Sequence, residues 1–138
     1  MFIQNVSYHE VQYGTHRHAD VLIQIVDPGL DFPVPSSDRI FKEIHKFEFS
    51  DVERETDPVW EHRMSPEQAQ EIAKILTDAL ANEYDVIVHC VAGLCRSGAV
   101  AEVGVMMGFE DTGVYRQPNV HVKTSLMRAL GMIPDYYK

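Results

Sequence analysis

Two cysteines and an arginine occupy one short stretch of this sequence. Residues 89–98 are His-Cys-Val-Ala-Gly-Leu-Cys-Arg-Ser-Gly, and Cys90 and Cys95 are the only cysteines in the chain. A thiolate is a strong nucleophile, and the planar guanidinium of an arginine grips two oxygens of a phosphate group at once. The chemistry that these residue types favour is nucleophilic attack by Cys90 on a phosphate held by Arg96.

Regular elements on either side would position this stretch. Residues 85–90 predict a buried strand, and residues 97–107 predict a buried helix that ends near Gly108. Amide groups at a helix N-terminus bind anions, and the helix dipole also favours a thiolate. We therefore expect Cys90 to react as a thiolate and Ser97 to donate a hydrogen bond to its sulfur. The predicted phosphate-binding residues are Val91, Ala92, Gly93, Leu94, Cys95 and Arg96.

Three further strands are predicted upstream. The first twenty residues predict a short strand and an irregular segment that contains Gly14. Residues 21–26 form a compact apolar run, which is typical of a buried strand. Residues 46–50 alternate, with Phe47 and Phe49 on one face, and an acidic loop follows them.

Two further helices are predicted. Ser65 and Gln68 form a capping-box pattern, and the apolar residues beyond them recur at helical spacing. Pro118 opens the last helix, and Gly131 follows its end. Strands that alternate with helices predict an α/β fold with a mainly parallel central sheet flanked by helices. Ligands of such sheets bind at the carboxyl ends of the strands, where Cys90 lies.

The composition excludes several classes of function. The chain has 138 residues, 45 % of them hydrophobic and 24 % charged, and a net charge of −9. This acidity disfavours nucleic-acid and membrane partners. We expect a cytoplasmic protein, because the N-terminus does not resemble a secretion signal and two adjacent thiols cannot cross-link distant segments. The spacing of the seven histidines predicts no metal site.

The order Val88-His89-Cys90, five residues, Arg96-Ser97-Gly98 resembles the signature of the protein tyrosine phosphatase superfamily. The small size and the Ala-Gly pair resemble its compact dual-specificity branch. The resemblance implies one phosphatase domain over residues 1–138 and a reaction through a phosphocysteine that water hydrolyses, without metal or cofactor. It also assigns catalysis to Cys90 and Arg96 and supporting roles to Ser97 and His89.

The resemblance further implies an aspartic acid, on a loop that follows a strand, as the general acid. Asp51 follows the strand predicted at residues 46–50 directly, and we favour it. Asp57 is the alternative, because it precedes Pro58 as in larger tyrosine phosphatases, although no tryptophan precedes it. Asp135 lies in a segment similar to the acid segment of low-molecular-weight tyrosine phosphatases. Their cysteine loop is at the start of the chain, so we treat that match as chance.

The predicted function is hydrolysis of phosphomonoesters: phosphotyrosine, with phosphoserine and phosphothreonine as further candidates, on proteins or small molecules. Two alternatives stay open. One is a catalytically inactive module that binds phosphate. The other is a thiol redox enzyme, resembling arsenate reductase or rhodanese, that uses Cys90 and Cys95. Cys95 is either a small loop residue or a redox partner of Cys90. The oligomeric state is left open.

Overall fold

A parallel sheet of five strands forms the centre of the structure, a computed structural model that describes residues 1–133. The strands are β1 (Phe2–Val6), β2 (Val21–Val26), β3 (Glu43–Glu48), β4 (Val86–His89) and β5 (Glu110–Asp111). Their order across the sheet is β3-β2-β4-β1-β5, and every pair of neighbours is parallel. This confirms the predicted α/β fold with a parallel central sheet.

Within residues 1–133, four α-helices and one short 3₁₀ helix surround the sheet. They are α1 (Tyr8–Tyr13), the 3₁₀ helix (Trp60–His62), α2 (Pro66–Ala81), α3 (Arg96–Met107) and α4 (Val120–Ala129). The larger core lies between one sheet face and α2, α3 and α4. The other face packs its smaller core against Val11 of α1 and Phe41. No helix within residues 1–133 is long and apolar enough to cross a membrane.

Most of the predicted elements occur, with shifted ends. The capping box of α2 forms as predicted, with Ser65 Oγ accepting from Gln68 N and Gln68 Oε1 accepting from Ser65 N. The last helix begins at Val120, because Asn119 is extended and serves as its N-cap. Asp135, the residue set aside as a chance match, lies outside the described residues.

Two sequence predictions were wrong. The segment that contains Gly14 is not irregular throughout, because α1 precedes that glycine, begins after Ser7 and carries a capping box with Glu10. The strand predicted at residues 46–50 is β3 instead, which begins three residues earlier and ends at Glu48. β3 is an edge strand with an outward-facing side, so Ile44 is half exposed and the apolar alternation does not extend to the true start of the strand.

Candidate active site

The carboxyl ends of four parallel strands meet at one edge of the sheet. Cys90 follows β4, Ser7 follows β1, Asp27 follows β2 and Phe49 follows β3. A cavity of about 840 Å³ opens at this edge, and its lining includes Asp27, Asp51, Asp57, Val91 and Arg96. The fold therefore gathers the predicted site residues from segments that are far apart in the sequence.

The loop of residues 90–95 is held by its carbonyl groups. Four of them accept hydrogen bonds from segments distant in the sequence: Val91 O from Tyr8 N (3.1 Å), Gly93 O from Asn5 Nδ2 (2.7 Å), Leu94 O from Gln117 N (3.0 Å) and Cys95 O from Asn119 N (2.9 Å). A trans peptide places the N–H opposite its carbonyl, so the amide groups that follow these carbonyls face the other way, towards the loop centre. The bonding pattern thus builds a ring of inward donors.

The ring of donors is largely free for a ligand. Within residues 1–133, the amides of Val91, Ala92, Leu94 and Cys95 donate to no protein atom. Only Gly93 N is used, and it donates to Cys90 Sγ at 3.3 Å. Several convergent amides at the N-terminus of α3 are the arrangement that binds a phosphate or another anion.

Gly93 permits this loop to approach β1 closely. Its φ is +77°, a left-handed conformation that other residues adopt at a cost. A Cβ atom at this position would lie 2.5 Å from Val6 C and 2.7 Å from Ser7 N. Both the backbone conformation and the lack of space therefore require glycine here.

Cys90 lies at the centre of the ring. Its residue is 2 % exposed, and its sulfur is 3.1 Å from Ser97 Oγ, in addition to the contact with Gly93 N. The sulfur thus lies between the loop and the first turn of α3.

Arg96 is anchored through one nitrogen of its guanidinium group, while another has no partner within the described residues. Its Nη1 donates to Asp27 Oδ1 at 2.9 Å and to Phe49 O at 2.8 Å. Its Nε is buried and has no hydrogen-bond partner within the described part of the chain. A buried guanidinium donor without a partner is costly unless a ligand binds it. The anchored Nη1 thus leaves the Nε edge of the guanidinium for an oxyanion.

Asp51 and Asp57 both line the cavity but are held differently. Asp51 Oδ1 accepts a hydrogen bond of 2.6 Å from Asn119 Nδ2. Asp57 Oδ2 instead accepts from the backbone amides of Glu53 (2.8 Å) and Arg54 (3.2 Å), within its own loop. These two amides lower the pKa of Asp57, which therefore favours the ionised carboxylate. The geometry makes Asp57 part of a local turn.

Cys95 lies next to the site without sharing the surroundings of Cys90. Burial raises the pKa of the Cys95 thiol, and the nearby Asp51 carboxylate and Cys90 raise it further. Its side chain forms no capping hydrogen bond at the start of α3. The Cys95 thiol is thus a poorer nucleophile than an unperturbed cysteine at neutral pH.

His89 supports the loop from below as a neutral ring. The residue is fully buried, and its Nδ1 lies 3.3 Å from Cys90 O. Burial lowers the pKa of His89 to about 4, and the positive charge of Arg96 acts in the same direction. Tyr8 packs edge-on against the ring, with 6.1 Å between the ring centroids. A neutral His89 avoids placing a second buried charge beside Arg96.

Four residues around the site were not predicted from the sequence: Asn5, Tyr8, Asp27 and Asn119. Asp27 directly follows the apolar run of β2, so its position at a strand end was a usable signal. Asn119 follows Pro118 before a helical pattern, which is typical of an N-cap. Within residues 1–133, no group of three or more His, Cys, Asp or Glu side chains is arranged to hold a metal ion.

Comparisons with solved structures show the fold. The human tyrosine phosphatase-like serine/threonine/tyrosine-interacting protein is similar over 99 % of this chain and 93 % of its own, with a TM-score of 0.61 and 16 % identity. OH1 from the Orf virus, a tyrosine phosphatase described as having triple substrate specificity, covers 92 % of this chain and 81 % of its own (TM-score 0.52, 13 % identity). Tk-PTP in its active form covers 96 % and 78 % (TM-score 0.50, 20 % identity).

No curated protein matches the sequence. The sequence model of one family, Protein-tyrosine phosphatase, matches residues 42–129. That range is more than half of the chain and includes the β4–α3 loop and the acidic connection after β3. The chain belongs to the protein-tyrosine phosphatase family.

Proposed function

We propose that this protein is a cysteine-dependent phosphatase of the compact dual-specificity type, which hydrolyses phosphomonoesters through a phosphocysteine. The observation that carries the proposal is the ring of unused amides and the unpartnered Arg96 Nε around Cys90 Sγ. These donors match the oxygens of a phosphate, and the sulfur lies where a nucleophile would meet phosphorus.

The first step transfers the phosphoryl group to sulfur. The Cys90 thiolate attacks phosphorus while the bond to the leaving oxygen breaks, and that oxygen takes a proton from Asp51. Arg96 and the loop amides hold the three remaining oxygens as negative charge develops on them. In the second step water attacks phosphorus and gives a proton to Asp51, while the S–P bond breaks. Ser97 Oγ, 3.1 Å from the sulfur, donates a hydrogen bond to the departing thiolate.

The contacts of the two acidic candidates favour Asp51 as the general acid. Asp57 is committed to two backbone amides, which favour its ionised form. Asp51 keeps one oxygen on Asn119 Nδ2, and no such pair of amides binds it within the described chain. A general acid must carry a proton before it reacts, so the carboxyl that accepts no backbone amide is better suited.

We propose phosphotyrosine as the main substrate, with phosphoserine and phosphothreonine as further candidates. A cavity of about 840 Å³ offers room for an aromatic ring between Val91 and the connection that follows β3. The fold likeness to OH1 is consistent with activity on tyrosine residues. The raised pKa of Cys95 argues against a dithiol exchange reaction as the main activity.

The experiment compares two cysteine variants under reducing conditions. Wild type, Cys90→Ser and Cys95→Ser are assayed on p-nitrophenyl phosphate and on a phosphotyrosine peptide. We expect wild type to hydrolyse both substrates, and Cys90→Ser to lose at least about 1,000-fold in kcat. Cys95→Ser makes the same chemical change five residues away, and we expect it to stay within about tenfold of wild type.

Two results would contradict the proposal. Phosphopeptide binding by wild type without any hydrolysis would identify a binding module. Activity that survives Cys90→Ser but not Cys95→Ser would show that Cys95, and not Cys90, is the nucleophile. Recovery of phosphate on Cys90 after rapid acid quenching would directly support the covalent intermediate.

A further inference from the structure

Asn119 is a fully buried residue that bonds to three different parts of the site. Its backbone N–H donates to Cys95 O in the phosphate-binding loop at 2.9 Å. Its side-chain Oδ1 accepts from Val122 N at 2.9 Å and thereby caps α4. Its Nδ2 donates to Asp51 Oδ1 at 2.6 Å and to Val52 O at 3.1 Å.

Helix capping explains only part of this arrangement. An N-cap needs an acceptor, and serine or aspartate would supply one to Val122 N as well as asparagine does. Neither of them carries the amide donor that reaches Asp51. Nδ2 is therefore the group of Asn119 that capping leaves unexplained.

The donor has a clear consequence for the carboxyl group of Asp51. A proton on Oδ1 would face the Nδ2–H group of Asn119, so the protonated form carries its proton on Oδ2. Asp51 lies outside the regular elements, and no backbone amide within the described residues donates to its carboxyl group. The Cys95 thiol also interacts with Asp51, but a thiol is a weak hydrogen-bond donor.

We propose that Asn119 is the positioning residue of the general acid: it fixes Asp51 relative to the phosphate-binding loop and keeps the transferable proton on Oδ2. Asn119 donates hydrogen bonds to Cys95 O in the phosphate-binding loop and to Asp51 Oδ1. It thus connects the loop that would bind the phosphate with the residue that would protonate the leaving oxygen. It does not touch the substrate. This inference rests on the proposed function.

The test uses two substitutions that keep the cap. Asn119→Ser retains an acceptor for Val122 N but is too short to reach Asp51. Asn119→Asp retains the shape and the acceptor but places a carboxylate against Asp51. Asn82→Ser, at the exposed C-cap of α2, is the matched control for the serine change. Thermal unfolding establishes that each variant is folded, and Asn119→Asp carries the test if Asn119→Ser does not fold.

The readout is the dependence of kcat/KM on the leaving group. Tyrosine, with a pKa of about 10, needs protonation as it leaves, whereas nitrophenolate does not. We expect Asn119→Ser to lose roughly 20-fold on the phosphotyrosine peptide but less than about threefold on p-nitrophenyl phosphate. Asn119→Asp should lose more on the peptide. In an Asp51→Asn background, Asn119→Ser should cause no further loss on either substrate.

An equal loss on both substrates, or additive losses in the double variant, would overturn the proposal and leave Asn119 a structural role only. If Asp51→Asn itself shows no dependence on the leaving group, then Asp51 is not the acid and the proposed function fails at that step. The two failures are thus distinguishable.

Discussion

Two connections at the same edge of the sheet form the site in different ways. Residues 90–95, between β4 and α3, are short, and four of their carbonyls are bound by other segments. Residues 49–65, between β3 and α2, are long, and much of their middle part is exposed. The geometry of the short connection is determined by β4 and α3, which it joins. The long connection depends on contacts with distant residues, above all Asn119.

The difference separates the two chemical tasks. In the proposed reaction the short loop binds the phosphate and presents the nucleophile, which requires donors fixed before the substrate arrives. The long connection supplies the acid in the same proposal. Its few buried apolar side chains, Phe49, Val52 and Met64, lie mainly near its ends, so we expect its centre to open at a lower free energy than the short loop.

The largest effect should come from Arg96, the first residue of α3 after the short loop. Arg96→Lys removes both the Nε donor and the geometry of the contacts with Asp27 and Phe49 O, and we expect kcat/KM to fall by about 1,000-fold on both substrates. Arg116→Lys is the control, because Arg116 pairs with exposed Asp111 outside the cavity. Near-normal activity of Arg96→Lys in steady-state assays would show that a positive charge is enough at this position and that the guanidinium donors are not needed.

A methyl group at Gly93 tests whether the loop needs its close approach to Val6 and Ser7. We expect Gly93→Ala to lower kcat/KM by roughly 300-fold, because the added Cβ would displace the loop from Val6 and Ser7 and misdirect several amides. Gly113→Ala is matched to it: Gly113 has a φ of +78°, but nothing lies within 4 Å of its added Cβ. Equal effects of the two variants would show that backbone strain, rather than crowding, determines the result.

The long connection should matter only when the leaving group is poor. We expect Asp51→Asn to lower kcat/KM on the phosphotyrosine peptide by about 100-fold, with less than a threefold change on p-nitrophenyl phosphate. Asp57→Asn, in the same connection, should affect both substrates little, since Asp57 holds a local turn. The reverse pattern would transfer the role of general acid to Asp57.

Acid pH should destabilise the protein through His89, which precedes the short loop. The pKa of His89 in the folded state, about 4, lies below its ordinary value of 6.5. As the pH is lowered from 6.5 to 4, the unfolded state therefore binds a proton that the folded state does not, and the free energy of unfolding decreases. We expect His89 to account for about 2 kcal/mol of the loss in unfolding free energy between pH 7 and pH 5. Chemical denaturation at both pH values should show that loss in wild type but less of it in His89→Gln. His62→Gln, at a half-exposed side chain of the long connection, is the matched control for the histidine-to-glutamine change.

The smallest effect should come from Asp27, which anchors Arg96 from outside the loop. Asp27→Asn can still accept a hydrogen bond from Nη1 but removes the charge, and the Asp27 side chain is half exposed. We expect kcat/KM to fall by about fivefold on both substrates, with a matching rise in KM, in steady-state assays. A loss confined to the poor leaving group would instead connect Asp27 with the acid.

The sequence by itself determined the parts of this protein that depend on neighbours in the chain. Cys90, Arg96 and Ser97 come together because a buried strand, a short loop and a helix follow one another directly, and the β2 and β4 strands and the cap of α2 follow from local patterns. The helix α1 could also have been found, because Ser7 and Glu10 form a capping box, but its few turns leave a weak apolar period.

Only the tertiary structure decided which distant residues complete the site. The strand order β3-β2-β4-β1-β5 brings Asp27 to Arg96, although 69 positions separate them in the sequence. The packing of α4 brings Asn119 to Asp51 across 68 positions. Hydrophobic patterns specify which face of an element is buried but not which element lies beside it, so these contacts have no local signal. Local patterns could place Asp27 at a strand end and Asn119 at an N-cap, but they could not place Asp27 beside Arg96 or Asn119 beside Asp51.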